Sequence, residues 1–395
     1  MKITTAKTYK FSVPTGQEIR DEKTGHLHCS TSKAWLLLKL ETDVGIDGWG
    51  DASGEWLVPM AEATLHDWIP LLLERNPLEV VALTEDVVRR SPWPGGAVFG
   101  TAAAAVNMAL YDIAGKAWKV PVHTLLGGKR RNRIRCYSNG GNYRDPAKAV
   151  ESALKLKERG WAGTKGNPME GRSWPMDMQA VENTAACMQA VRDAVGEDHD
   201  ILLDAHGSPT PELSIALARR VAPIRPLFYE EPVKVGSVEA LADVARESDI
   251  PIATGEKLVT VDSFRPLIDR RACAVLQPDV TRCFGITTLL EIARWAEHQQ
   301  MLMAPHNVCS PVGHAATLQA DAVINNFLIQ EVTGIYFEQY HRYADHDWVL
   351  ENGHLNVSER PGLGIEVKEA DIATMPYERM PYRQYRHDDG SWKGW

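Results

Sequence analysis

The residues with the most chemical content are acidic and recur at a fixed interval. Asp204 follows Ile-Leu-Leu, Glu230 follows Leu-Phe-Tyr, and Glu256 follows Ala-Thr-Gly. The step from Asp204 to Glu230 equals the step from Glu230 to Glu256. Carboxylates brought to one place repel one another unless a cation lies among them. An all-oxygen set suits Mg²⁺, which takes a few carboxylates and completes its octahedron with water and substrate oxygens. Separate ion pairs with Lys or Arg would also satisfy three carboxylates, but would not account for the even interval. Glu231 directly follows Glu230. Neighbouring strand residues point to opposite faces, so one of the two can face the metal, and the interval does not choose between them.

Further along, Asp279 ends Gln-Pro-Asp and His306 ends Ala-Pro-His. A carboxylate one strand away from a histidine can hold its Nδ1–H, fix the tautomer and raise its basicity, which makes a general base. Glu331 ends Leu-Ile-Gln-Glu. On the other side, alternation puts Lys165 and Asn167 on one face, and His206 on the same face as Asp204. A cation site, a base and flanking polar groups are the parts needed to remove a proton next to a carboxylate and to hold the charge that develops.

These residues must be brought to one rim, and the chain supplies elements that do so. Short apolar runs that end in polar residues occur at 134–137, 163–167, 201–206, 226–231, 251–256, 274–279, 301–306 and 327–331. Helical stretches such as 211–221, 237–248 and 286–299 lie between them. Eight strands at mostly ~25-residue spacing match the βα unit of a closed barrel, whose catalytic residues come from the C-terminal strand ends. An open doubly wound sheet is the rival, but no G-x-G-x-x-G is present. Before the barrel, strands are expected at 2–13 and 34–40, with a turn punctuated by Gly45, Gly48 and Gly50 around Trp49. Helices are expected at 58–73 and 101–118. The expected organisation is an α+β capping module over 1–128, an α/β barrel of the TIM type over 129–345 carrying the site, and a segment over 346–395 returning to the module.

Composition narrows the function classes. The 395 residues are 44% hydrophobic and 24% charged, ordinary for a globular protein with a large core. A formal charge of −9 argues against a nucleic-acid partner. The six cysteines form no C-x-x-C pair, which fits neither a zinc site nor a disulfide framework. The opening MKITTAKTYKFSV alternates like a strand without an apolar h-region, and no apolar run reaches the ~20 residues of a membrane span. A cytoplasmic homo-oligomer with no membrane partner and a small-molecule substrate is expected.

Taken together, Asp204-Ala205-His206, Tyr229-Glu230-Glu231-Pro232, Gly255-Glu256-Lys257, Gln277-Pro278-Asp279 and Pro305-His306 resemble the enolase superfamily, in its mandelate racemase-like subgroup. The resemblance covers almost the whole chain. It implies Mg²⁺ on Asp204, Glu230 and Glu256, which selects Glu230 over Glu231 and leaves Glu231 to a basic side chain. It implies an Asp279–His306 dyad as the base and Glu331 as an acid facing the substrate carboxylate. Racemases of the group carry Lys-x-Lys on the second strand, whereas this chain has Lys165-Gly166-Asn167. Lys-x-Asn together with Asp-x-His is most similar to the galactonate dehydratase type of acid sugar dehydratase, in which the equivalent of His206 protonates the leaving hydroxyl. The implied reaction turns a sugar acid into a 2-keto-3-deoxy acid, with Lys165, Asn167, His206 and Glu331 against the substrate. An epimerase, racemase or cycloisomerase on the same fold, and a non-catalytic relative, are the alternatives. The stretch 168–175 reads as an enlarged loop bearing on substrate choice. The 14–30 segment, with His26 and His28, is expected to cover the pocket, both histidines being ordinary loop residues.

Overall fold

The computed structural model describes all residues except 16–18, 21–26, 30–31, 91, 94–95, 142, 144, 170–173, 381–385, 388 and 393–395, and gives the backbone alone for 19–20, 27–29, 32 and 141. His26 and the centre of the 168–175 loop therefore lie outside the described residues, and His28 is described in backbone only.

The N-terminal module is a three-stranded antiparallel sheet, Ile3–Pro14, Ser32–Thr42 and Asp47–Asp51, with the Ser32–Thr42 strand central. Its alternating side chains are buried on both faces. Ala34, Leu36, Leu38 and Leu40 pack with the helices Val58–Leu72, Val80–Val88 and Ala97–Trp118, while Trp35 and Leu37 join the core shared with the barrel. The period of two thus makes one strand the partition between two cores.

Two expectations change here. Gly48 and Gly50 belong to a strand, not to a turn. A Cβ on Gly50 would meet the Ala105 carbonyl oxygen at 1.8 Å, and one on Gly48 would meet that of Ala109 at 2.2 Å. The glycines and the alanine-rich helix are one feature, a helix backbone lying directly on a strand. Gly50→Ala is expected to destabilise the protein by about 3 kcal/mol through overpacking, read as a lowered Tm. Further, the 22-residue helix Ala97–Trp118 is long and apolar enough, by length and composition, to cross a membrane. Its apolar surface is used inside the protein, however, with 78% of its most apolar window buried.

The barrel strands are Arg133–Gly141, Gly163–Gly166, Asp200–Asp204, Tyr229–Glu230, Ile252–Thr254, Val275–Leu276, Leu302–Met303 and Gln330–Val332. They pair in parallel in sequence order, and the eighth returns to the first through Glu331 opposite Tyr137. Closure between the seventh and eighth is a parallel bridge of Met303 with Phe327, where the Leu328 N–H donates to the Met303 carbonyl at 2.8 Å. Tyr137, Leu202, Phe228, Ala253, Val275, Ala304 and Ile329 fill the interior, so the barrel is a packed core rather than a pore.

Most barrel helices begin with a side-chain cap. Asp145, Asp177, Thr210, Ser237, Thr260 and Ser310 each accept from a backbone N–H of the first turn, which satisfies a donor the helix itself leaves unpaired. Beyond the barrel, His354–Asn356 adds antiparallel to the first barrel strand. The chain then returns to the N-terminal module, where Glu369 meets Tyr9 and Lys39.

Candidate active site

Strand register brings the predicted residues together. Asp204 is the parallel partner of Glu230, and Asp279 is the parallel partner of His306. At these two junctions the strands run level, so the paired side chains meet at the same height, whereas Glu230 is level with Ala253, ahead of Glu256. Lys165, Asp204, Glu230, Glu256, Asp279, His306 and Glu331 are all buried.

Lys165 lies at the centre. Its Nζ is 2.8 and 2.9 Å from the two oxygens of Glu230, 2.9 Å from Glu331 Oε1 and 3.7 Å from Asp204 Oδ2. Glu331 is further held by the Asn139 amide at 3.0 Å and the Asn307 N–H at 3.3 Å. Glu231 points away from this group, with its carboxylate on Lys257. Its φ of 43° is the left-handed turn that sends the two neighbouring glutamates to different places.

Across the rim, His306 Nδ1 is 2.7 Å from Asp279 Oδ2, and its Nε2 is 3.1 Å from Glu256 Oε2. The other Asp279 oxygen accepts from the Thr281 N–H at 2.8 Å and its hydroxyl at 2.6 Å. Burial opposes the charge on Asp279, but Arg282, His306 and Thr281 outweigh it and draw the carboxyl down to about 2, since nearby cations and donors favour the charged form.

His206 Nε2 is 2.9 Å from Asp204 Oδ2, and its Nδ1 is 2.7 Å from the Asn167 side-chain nitrogen. Burial disfavours the imidazolium, yet Asp204 lifts the ring to about 9. The hydrogen bonds bear on the neutral form of the ring. The Asn167 oxygen accepts from the Met169 N–H at 2.8 Å. Its NH₂ therefore faces Nδ1 and requires a lone pair there. In the neutral ring these hydrogen bonds fix the tautomer, because both Asn167 groups are engaged in one mutually consistent orientation. The ring proton then sits on Nε2.

Asn139, Thr281, Arg282 and Lys257 were given no role in the sequence reading. Thr281 was detectable, since a Thr two residues after Asp can cap its carboxylate locally. Asn139 was not, because it reaches Glu331 only through barrel closure.

Residues 148–371 match the family model for the enolase C-terminal domain-like fold, and residues 19–127 match that for the mandelate racemase / muconate lactonizing enzyme N-terminal domain. The chain belongs to the enolase superfamily. A D-galactonate dehydratase of Variovorax paradoxus (strain S110) is 36% identical over 369 residues, covering 91% of this chain and 96% of its own. A second, from Ralstonia nicotianae, is 34% identical with the same coverage. Among solved structures, an Agrobacterium radiobacter enolase described as a candidate galactarate dehydratase, bound to sodium and L-malate, has a TM-score of 0.86 at 26% identity over all of both chains.

Enolase-superfamily members bind Mg²⁺, and the donors here can be tested for fit. In the present arrangement Glu230 holds Lys165, Asp204 holds His206 and Glu256 holds His306. Among the described residues no three acidic, His or Cys side chains converge closely enough to hold a metal ion. The chemistry of the set nevertheless fits a hard divalent cation. Burial, with the neighbouring carboxylates of Asp204, Glu331 and Glu256, pushes Glu230 up to about 8 even beside Lys165. Asp204 and Glu256 also repel one another. A divalent cation would relieve that repulsion.

Proposed function

We propose that this enolase-superfamily enzyme dehydrates a sugar acid, of the aldonate class, to a 2-keto-3-deoxy acid, with Mg²⁺ held by Asp204, Glu230 and Glu256. One observation carries the reading. The rim offers one base dyad, Asp279–His306, and in the place of a second base it has Asn167 holding His206. A metal ion in this position would polarise the substrate carboxylate and favour loss of its α proton.

The chain's own groups do the rest. His306 takes the C2 proton on Nε2, which is available once Glu256 is committed elsewhere, while Asp279 holds Nδ1–H and stabilises the imidazolium formed. Lys165 and the Glu331 carboxyl face the charge that develops on the carboxylate oxygens. The C3–O bond then breaks, and His206, as the imidazolium that Asp204 favours, gives a proton to the departing hydroxyl, so that water leaves and the ring becomes neutral. The enol left behind tautomerises to the keto acid. Asn167 cannot abstract a proton, which disfavours two-base racemisation.

Incubation with a panel of aldonic and aldaric acids, D-galactonate first, is expected to produce an α-keto acid that depends on Mg²⁺. Solvent deuterium at C2 without keto acid would instead make the enzyme an isomerase. His206→Asn separates the two halves of the reaction. It is expected to lower keto-acid formation about 10²–10⁴-fold while C2 exchange persists, because His306 remains. Equal loss of both would remove His206 from the role of acid.

A further inference from the structure

Both halves of the Asp279–His306 dyad are gripped by the N-terminal module. On the histidine side, the loop after the seventh strand is held twice. The Lys33 ammonium donates to the Val308 carbonyl at 2.7 Å, and the buried Asp51 carboxylate accepts from the Ser310 N–H at 2.9 Å and from its hydroxyl. On the aspartate side, Arg282 Nε lies 3.5 Å from Asp279 Oδ2, the oxygen that also receives His306 Nδ1. Glu55 of the module acts on the same guanidinium, and it also pairs with Lys33 at 3.3 Å. Burial opposes the Arg282 charge, but Asp279, then Glu55 and Glu256, overcome it.

Two backbone features mark this junction between module and barrel. Glu55 has a φ of 54°, a left-handed conformation. Side-chain-bearing residues rarely adopt it, and such strain persists where the surroundings enforce it. Gly100, in the first turn of the Ala97–Trp118 helix, lets the Arg282 carbonyl approach so closely that a Cβ would meet it at 2.2 Å. The module therefore packs directly on the Arg282 backbone, and the negative charge of Glu55 favours the guanidinium.

We infer that Arg282 is a positioning residue for the dyad, and that Glu55 and Lys33 couple it to the module, so that His306 and Asp279 are aligned only when the Glu55–Leu57 turn is seated on the barrel. Lys33 bridges the two halves, because it touches both Glu55 and the His306 loop. This inference rests on the proposed dyad but not on the identity of the substrate.

The test uses the Mg²⁺-loaded, full-length protein and the hydrogen-bonded Nδ1–H proton of His306, observed by NMR and assigned by its disappearance in His306→Asn. This signal needs no substrate. Arg282→Met and Glu55→Gln are both expected to shift or broaden it, and Arg282→Lys to restore it in part. With substrate, Arg282→Met should lower kcat about tenfold with KM little changed, and add nothing further in an Asp279→Asn background, since residues acting through one another are non-additive. An unmoved resonance in either Arg282→Met or Glu55→Gln, or full additivity with Asp279→Asn, overturns the inference. A wild type that makes no keto acid would defeat the dehydratase reading, and the resonance would still decide this one.

Discussion

His306→Asn is expected to abolish both C2 exchange and keto-acid formation, with a loss of about 10²–10⁴-fold or more for the missing proton transfer. The position opposite offers no substitute base, since Asn167 is neutral and its amide is already engaged by His206 and Met169. Asp279→Asn should resemble it more mildly, for a reason visible in the hydrogen bonds. One Asp279 oxygen accepts from both the N–H and the hydroxyl of Thr281. An asparagine keeps its oxygen there and turns its NH₂ toward His306 Nδ1, which must then present a lone pair. The ring proton moves to Nε2, the nitrogen that has to receive the substrate proton. Turnover should fall by orders of magnitude, as carboxylate-to-amide changes do in other histidine-based dyads, while Mg²⁺ affinity measured by calorimetry stays near the wild-type value. Rapid C2 exchange by His306→Asn would instead transfer the role of base to another group, with Lys165 the nearest cationic candidate.

Asp204→Asn is expected to remove Mg²⁺-dependent turnover while the fold is kept. Its effect should exceed the ~10–100-fold typical of losing a group that only supports a metal ligand. The change replaces a full charge by a neutral amide among three acidic donors, and it leaves Lys165 and His206 with a weaker partner. Binding of a ligand to the native state stabilises it by mass action, about 2.7 kcal/mol at 100 times Kd. Saturating Mg²⁺ should accordingly raise the Tm of the wild type and leave that of Asp204→Asn nearly unchanged. Full activity of this variant in the presence of a chelator would show that the carboxylate assignment is wrong.

The parts of this protein legible in its sequence are those governed by local periodicity and by repetition. Apolar runs ending in acids at equal intervals forecast parallel strands with their functional ends on one rim, and eight such runs forecast a closed barrel. All eight strands lie within or overlap the expected runs, although several are only two residues long. Spacing alone also paired Asp279 with His306, since one βα unit in a parallel barrel puts their strands side by side.

What the tertiary structure decided depends on contacts between distant parts of the chain. Glu230 and Glu231 are equivalent in a one-dimensional pattern. They separate because Lys165 stands on one side of the strand end and Lys257 on the other, with a left-handed turn at Glu231 between them. Gly48 and Gly50 look like turn residues until the Ala97–Trp118 helix is laid across them. Their missing Cβ serves a neighbour far along the chain, by allowing a close backbone approach. Asn139 reaches Glu331 only because the first and eighth strands close the barrel. The Arg282 carbonyl lies against Gly100, and Lys33 meets Val308, only because a separate module docks on the rim. Periodicity reports which face of an element is buried. It carries no information about what is packed against that face, and the groups that aim the dyad come from there.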